Sequence, residues 1–404
     1  MVDISLKLKV VTPLFMTGAN QDAVELREPS IKGMLRFWYR AIYPNDTEGE
    51  ARVFGGHDKK HGQSKVLLKI KHKNLDIGAK EDQTWNGKKT AYLGYGVITR
   101  EKIDETYTKN GREYPVKKEV TVRPYIKPGS RFTLEILFKP LPANATEQQI
   151  QTYDTDKSNV ENVIWAWVMF GGLGARSRKG FGSLVIEEAN GIDKYNIPNW
   201  QPKNRNDLQA ALQQFTSGIH SVDNKLPPKY THWSDKAKCI IIGNEIKGED
   251  ILEKLGEKIH DLRSFRGNHK LENIVVRDHD LMRNFLKNPS NRPAGPPIRA
   301  AFGLPHNYFF TSLGNALGEV NVLDNNGKKG RRASPLFFSV YQFLNGETCV
   351  IALFLPAQFL GPDKKITISK GGDQYPVDVS DEIQDFTAID ALLNKLELWH
   401  GLKI

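Results

Sequence analysis

Residues 171–182 read Gly-Gly-Leu-Gly-Ala-Arg-Ser-Arg-Lys-Gly-Phe-Gly: five glycines, three basic side chains and no acid. Glycine lets a backbone approach a ligand closely and adopt positive φ. Arginine recognises phosphate through paired hydrogen bonds. Together Gly172, Gly174, Arg176, Arg178, Lys179, Gly180 and Gly182 suit a phosphodiester backbone passing over a loop. Two familiar nucleotide-binding patterns do not fit. A Walker A loop closes on Gly-Lys-Ser/Thr, which is absent, and Ser177 stands where the dinucleotide fingerprint requires its third glycine. The stretch also follows a helical pattern, whereas both of those motifs follow a strand. The competing reading is a glycine-rich bend with solvated arginines.

A second basic group is the ladder Lys32, Arg36 and Arg40, spaced i, i+4 on one predicted helix. A solvated helix face is the ordinary explanation. Against it, reading Ser30 as the N-cap places Lys32 at the helix N-terminus, where free N–H groups and the dipole favour anions. Trp38 is read as core, with base stacking as the alternative. The run Lys328-Lys329-Gly330-Arg331-Arg332 reads as a solvated loop or a phosphate-contacting one, and Arg263, Arg266, His269 and Lys270 form a weaker cluster.

Catalytic patterns are sparse. His57-x-x-x-His61 lies in a Lys/Gly-rich loop that would fix metal ligands poorly. Arg277-Asp278-His279-Asp280 has no companion histidines and reads as a helix start with acidic caps. Asp22 and Glu25 could serve RNA cleavage but read first as surface polar residues. No cofactor, metal site or catalytic residue is predicted.

The elements that must position these groups follow from periodicity. Residues 5–11 alternate like a half-buried strand. Residues 29–42 form a helix with Ile31, Leu35, Trp38 and Ile42 on one face. Residues 64–70, 131–138 and 181–186 are further strands, and 159–170 is a buried helix ending at Gly171-Gly172. Residues 76–120 read as an insertion or long mobile loop. Residues 190–235, rich in Asn, Gln, Pro and Lys, read as a linker. Beyond it come a strand at 239–242, helices at 250–263, 277–286 and 381–399, and a hairpin of 336–343 and 348–355 about Asn345-Gly346. This predicts an α+β protein of two ferredoxin-like (RRM-like) domains with long insertions, at 1–190 and 236–404, joined by a linker at 191–235.

Composition sets the outer limits. The chain has 404 residues, 57 Lys and Arg against 47 Asp and Glu, a net charge of +10, and 19 Phe, 13 Tyr and 7 Trp. That apolar mass excludes a largely disordered chain. Two cysteines, Cys239 and Cys349, exclude a disulfide scaffold and an all-cysteine zinc site. The first residues lack a signal-peptide core, and no apolar run approaches a membrane span. A cytoplasmic protein with an anionic partner is expected.

Several stretches now stand together: Val11-Thr12-Pro13-Leu14-Phe15, the helix start at 29–40, Phe54-Gly55-Gly56 and the loop at 171–182. In these the chain resembles the RAMP superfamily of CRISPR effector proteins. More narrowly, it resembles the first-numbered RAMP subunits of type III-B (Cmr) complexes. The narrower signal is the Ser-Ile-Lys-Gly-x-Leu-Arg-Phe-Trp run at 30–38, supported by Ala301-Phe302-Gly303-Leu304-Pro305 and Arg332-Ala333-Ser334-Pro335-Leu336. The resemblance implies a non-catalytic subunit that caps the complex near the 3′ end of the guide RNA and helps hold guide and target RNA in antiviral defence. It implies guide RNA, target RNA and other Cmr subunits as partners. The RNA-binding residues are then Lys32, Arg36, Arg40 and the seven loop residues named above, contacting phosphate and sugar, since base pairing supplies specificity. Two alternatives remain. One is an endoribonuclease of the same superfamily, acting on guide precursor or target. The other is a scaffold whose basic faces bind protein only.

Overall fold

The computed structural model describes residues 2–56, 62–192, 199–219, 230–247, 250–399 and 401–404. The first half is built from β1 (Ile4–Val10), α1 (Glu28–Ile42), α2 (Thr47–Phe54), β2 (Val66–Lys71), a hairpin of β3 (Ile98–Lys109) and β4 (Arg112–Thr121), β5 (Arg131–Phe138), α3 (Glu147–Phe170) and β6 (Leu184–Asn190). Four strands form one antiparallel sheet in the order β2-β5-β1-β6. Along β1, Ile4, Leu6, Leu8 and Val10 are buried while the residues between them are half-buried. This two-residue period puts one face of the sheet under α1 and α3. Ile31, Leu35, Trp38 and Ile42 of α1 are buried as their spacing required.

The second half continues with α4 (Arg205–Gly218), β7 (Lys238–Lys247), α5 (Asp250–Arg263), α6 (Glu272–Lys287), β8 (Leu336–Gln342), β9 (Glu347–Phe354), α7 (Thr387–Glu397) and β10 (Leu402–Lys403). Its antiparallel sheet runs β8-β9-β7-β10. Numbered by appearance in the chain, both sheets have the order second, third, first, fourth, with helices after the first and third strands. A five-stranded sheet of His306–Phe310, Ala316–Asp324, Lys329–Gly330, Lys364–Lys370 and Asp373–Val377 is inserted around β8 and β9. Mixed helix and antiparallel sheet is thus the architecture expected.

Several local expectations change. The first helix begins at Glu28, with Arg27 as N-cap and Pro29 in the first turn, so Ser30 does not cap it. Proline suits that turn because its fixed φ is helical and its missing N–H had no helical partner there. Lys32 therefore lies past the first turn, away from the free N–H groups. Helix α3 starts 12 residues earlier than 159, at a capping box in which Gln149 N–H donates to Thr146 Oγ1 and Gln149 Oε1 accepts from Thr146 N–H. Residues 98–121, read as loop, form the β3–β4 hairpin, whose exposed faces give no apolar periodicity.

The stretch read as linker contains α4. Its Leu208, Ala211, Leu212 and Phe215 are buried, and Phe215 stacks on Trp165 with ring centroids 4.5 Å apart. The C-terminal helix predicted over 381–399 breaks at Phe386, where φ is +56°, into Asp381–Gln384 and α7. Cys239 and Cys349 are buried free thiols.

Candidate nucleic-acid interface

The basic ladder on α1 is mostly engaged within the protein. Arg36 Nε donates to Glu50 Oε1 at 2.7 Å, and Arg40 Nε lies 3.6 Å from Glu50 Oε2. Glu50, on α2, is buried, so these two cations balance a carboxylate removed from water. Lys32 is half-buried and has no partner among the described residues. Burial and then the neighbouring Arg36 lower its pKa. Trp38 is fully buried and takes no part in any exposed stacking surface.

The glycine-rich loop is threaded between the two halves. Gly182 N–H donates to Pro13 O at 2.9 Å and Ala175 N–H to Phe15 O at 2.8 Å. Thr12 Oγ1 donates to Gly180 O at 2.6 Å and accepts from Ser183 N–H at 2.9 Å. Two glycines are required by this threading. Gly174 has φ +83°, and a Cβ there would fall 2.4 Å from Phe15 O; Gly182 has φ +63°, and a Cβ would fall 1.9 Å from Leu173 O. Gly172 abuts the carbonyls of Phe181 and Gly182, and Gly180 abuts Leu252 of α5. The close approach that these glycines permit is to the protein's own chain.

The three basic residues of the loop separate. Arg178 is directed inward: its guanidinium lies over the rings of Phe337 (4.4 Å) and Phe37 (5.2 Å), and Nη1 donates to Ser334 O at 2.5 Å. Burial lowers its pKa to about 10. Arg176 is exposed and has the left-handed φ of +61°. Its guanidinium leans on Gly96, and partial desolvation followed by the charge of Arg331 lowers its pKa. Lys179 is half-buried. Burial first, then Arg263, Arg176 and Arg178, lower its pKa to about 7. Lys179 N–H donates to Arg176 O at 2.8 Å, but neither the Arg176 guanidinium nor the Lys179 ammonium has a hydrogen-bond or ion-pair partner among the described residues.

The Lys328–Arg332 run also divides. Lys329 pairs with Glu319 at 2.9 Å. Arg332 lies over Phe359 (4.5 Å) and Phe386 (5.3 Å) and donates through Nε to Phe359 O at 2.6 Å. Arg331 stays exposed beside Arg176. The charge of Arg263, the last residue of α5, acts on Lys179. The sequence marks Arg263 only as part of a weak cluster, and no local signal ties it to a loop 84 positions away.

The acidic candidates have structural partners. Asp278 is fully buried inside α6, not at its start. Its carboxylate accepts from the backbone N–H of Ile298 (2.7 Å) and Arg299 (2.9 Å) and pairs with Arg299 Nε at 3.0 Å. Asp22 pairs with Lys80 at 3.1 Å on the surface. His57 and His61 lie outside the described residues. Among the described residues no cluster of His, Cys, Asp and Glu could hold a metal ion, and no helix is long and apolar enough to cross a membrane.

The RAMP superfamily model matches residues 7–185. Among curated proteins, the chain is 24% identical to the CRISPR system Cmr subunit Cmr1-2 of Pyrococcus furiosus over 194 residues, which cover 45% of this chain and 92% of that one. It is 28% identical to Cmr1-1 of the same organism over 173 residues, covering 41% of each chain. The apo crystal structure of Cmr1 from P. furiosus is similar with a TM-score of 0.53 at 15% identity, covering 99% of this chain and 98% of that one. A chain of the type III-B Cmr-beta complex bound to cognate target RNA and AMPPnP gives a TM-score of 0.52 at 15% identity, covering 98% and 99%. Residues 7–185 are thus similar to the RAMP superfamily, and over its length the chain shares the fold of Cmr1.

Proposed function

We propose that the chain is a non-catalytic, RNA-binding subunit of a type III-B CRISPR ribonucleoprotein. It would work at the end of the complex near the 3′ end of the guide RNA, beside other Cmr subunits, and help hold guide and target RNA. The observation that carries this reading is Lys179 and Arg176, two cations without partners on the glycine-rich loop, with Arg331 exposed beside them. The likeness to Cmr1 and to a chain of an RNA-bound Cmr-beta complex supports it. In the same reading each four-stranded sheet with its two helical crossovers is a ferredoxin-like domain, the first at 1–190 and the second at 236–404. The RNA contacts go to phosphate and sugar, so any guide sequence is accepted. Of the residues named from the sequence, Lys32, Arg176 and Lys179 are the direct contacts. Arg36, Arg40, Arg178, Gly172, Gly174, Gly180 and Gly182 shape the surface that presents them.

Filter binding of single-stranded RNA across a salt series tests this. Affinity is expected to fall with salt, and Arg176→Ala and Lys179→Ala each to weaken binding alike for unrelated sequences. Each should lower the salt slope by about 0.7, one phosphate contact on a single strand. Binding without salt dependence, or loss confined to one sequence, contradicts the proposal. Incubation of RNA with the protein and Mg²⁺ should leave the RNA intact. Cleavage abolished by Asp22→Ala would overturn the non-catalytic assignment.

A further inference from the structure

Three basic stretches far apart in the sequence meet at one seam between the halves. Helix α5 runs past the glycine-rich loop, with Leu252 against Gly180 and Arg263 near Lys179. The same helix holds residues 89–96 in place. Glu253 accepts from the N–H groups of Lys89 (2.7 Å) and Thr90 (2.8 Å), and Tyr92 packs edge-on to His260 with ring centroids 5.2 Å apart. That segment brings Gly96 under the guanidinium of Arg176. The charge of Arg331 also bears on Arg176.

No carboxylate is among the groups acting on Lys179 or Arg176. Nearby acids are committed elsewhere: Asp278 to Arg299, Glu253 to the 89–90 backbone, Glu319 to Lys329. Two buried nitrogens at the seam, Arg263 Nε and His306 Nδ1, have no hydrogen-bond partner. Arg263 and Arg299 both bear on His306, whose pKa falls well below the usual imidazole range, first through burial and then through those two charges. Arg263 lies over the Phe302 ring at 4.4 Å, but no carboxylate is paired with it, and cations without a counter-anion beside an unused donor in a partly dry seam are a standing cost that one anion would remove.

We propose that Lys179 and Arg176 from the first half and Arg263 and Arg331 from the second form one phosphate-binding site. We further propose that its occupation tightens the packing of the two halves. The ligand is a phosphate group, whether of an RNA backbone or free in solution. The site stands on its own geometry; only the RNA as source of the phosphate rests on the proposed function. Binding and packing are then linked, because a ligand held by both halves stabilises the state in which they are docked.

Thermal unfolding of the full chain, with inorganic phosphate against chloride at matched ionic strength, reads the site directly. Phosphate is expected to raise the midpoint by roughly 2 °C beyond chloride. Lys179→Met and Arg263→Met, one from each half, should both lose that increment, whatever their midpoints in chloride, where Arg263→Met also gives up its contact with the Phe302 ring. An equal rise with chloride, or an increment that survives in both variants, overturns the proposal. A parallel arm measures binding of a short single-stranded RNA. If RNA affinity falls in both variants as the phosphate increment does, the RNA backbone is the source. If the variants lose the phosphate increment and bind RNA as before, the site stands and the RNA reading of it fails. If they lose RNA affinity and phosphate has no specific effect in the wild type, the RNA reading stands and the shared site falls.

Discussion

At the scale of single residues, Lys179 has the most telling environment. Burial and three guanidinium groups lower its pKa from the ordinary 10.5 to about 7. Between those values the unfolded chain holds a proton that the folded chain has released, so stability rises with pH across that window. Below pH 7 both states are protonated and Lys179 contributes no slope. Urea unfolding at pH 7 and pH 9 should therefore show the wild type gaining stability relative to Lys179→Met as pH rises; parallel behaviour would refute the assignment. RNA affinity should move the other way, weakening above pH 7 as the ammonium is lost, with the trend absent in Lys179→Arg. The sequence shows Arg176, Arg178 and Lys179 as equivalent members of a basic loop. Their separation into a half-buried stacked side chain and two unpartnered ones depends on Phe37, Phe337, Arg263 and Arg331, none of them a sequence neighbour.

At the scale of elements, periodicity was a good guide wherever one face is buried. The alternation along β1 and the Ile31, Leu35, Trp38, Ile42 stripe on α1 both place the core correctly. It fails where both faces are wet. The β3–β4 hairpin mixes charges on each face, and its tip is held by the Tyr107–Tyr114 pair, stacked with centroids 5.6 Å apart and both exposed. Replacing residues 103–116 by a short turn should shift the thermal midpoint by about 1 °C or less, since little apolar surface leaves the core. A loss of several degrees would show that the hairpin packs on the body of the protein. The early start of α3 was legible in the Thr146–Gln149 capping box, which precedes a polar rather than an apolar stretch and so has no stripe to mark it.

At the scale of the whole molecule, the halves are joined through the loop that the sequence singles out for RNA. Phe338 N–H donates to Arg178 O at 3.2 Å, Val340 N–H to Ser183 Oγ at 2.9 Å, and Ser339 Oγ to Met169 O. Arg178 adds its guanidinium between Phe37 of α1 and Phe337 of β8. Arg178→Ala should destabilise the protein by at least about 2 kcal/mol, the scale of a desolvated cation–π contact alone, with the hydrogen bond of a charged group adding to it. Guanidinium chloride unfolding measures it; a change within about 0.5 kcal/mol, the scatter of neutral surface substitutions, would remove Arg178 from the joint. RNA affinity per folded molecule should change less than in Arg176→Ala.

The shared strand order of the two four-stranded sheets was not visible in the sequence, which has no repeat between halves. Strand order is set by which edges meet, and quite different residues can supply the same apolar face. By itself the sequence determined the buried faces of β1, α1 and α5, the basic character of residues 171–182 and the resemblance of the run at 30–38 to Cmr subunits, because each of these is local. Only the tertiary structure decided which cations remain unpaired. Arg36 and Arg40 meet Glu50 and Arg178 meets two phenylalanines, while Lys179 and Arg176 meet Arg263 and Arg331. Charge balance depends on neighbours in space, and those neighbours lie from ten to more than a hundred and fifty residues away.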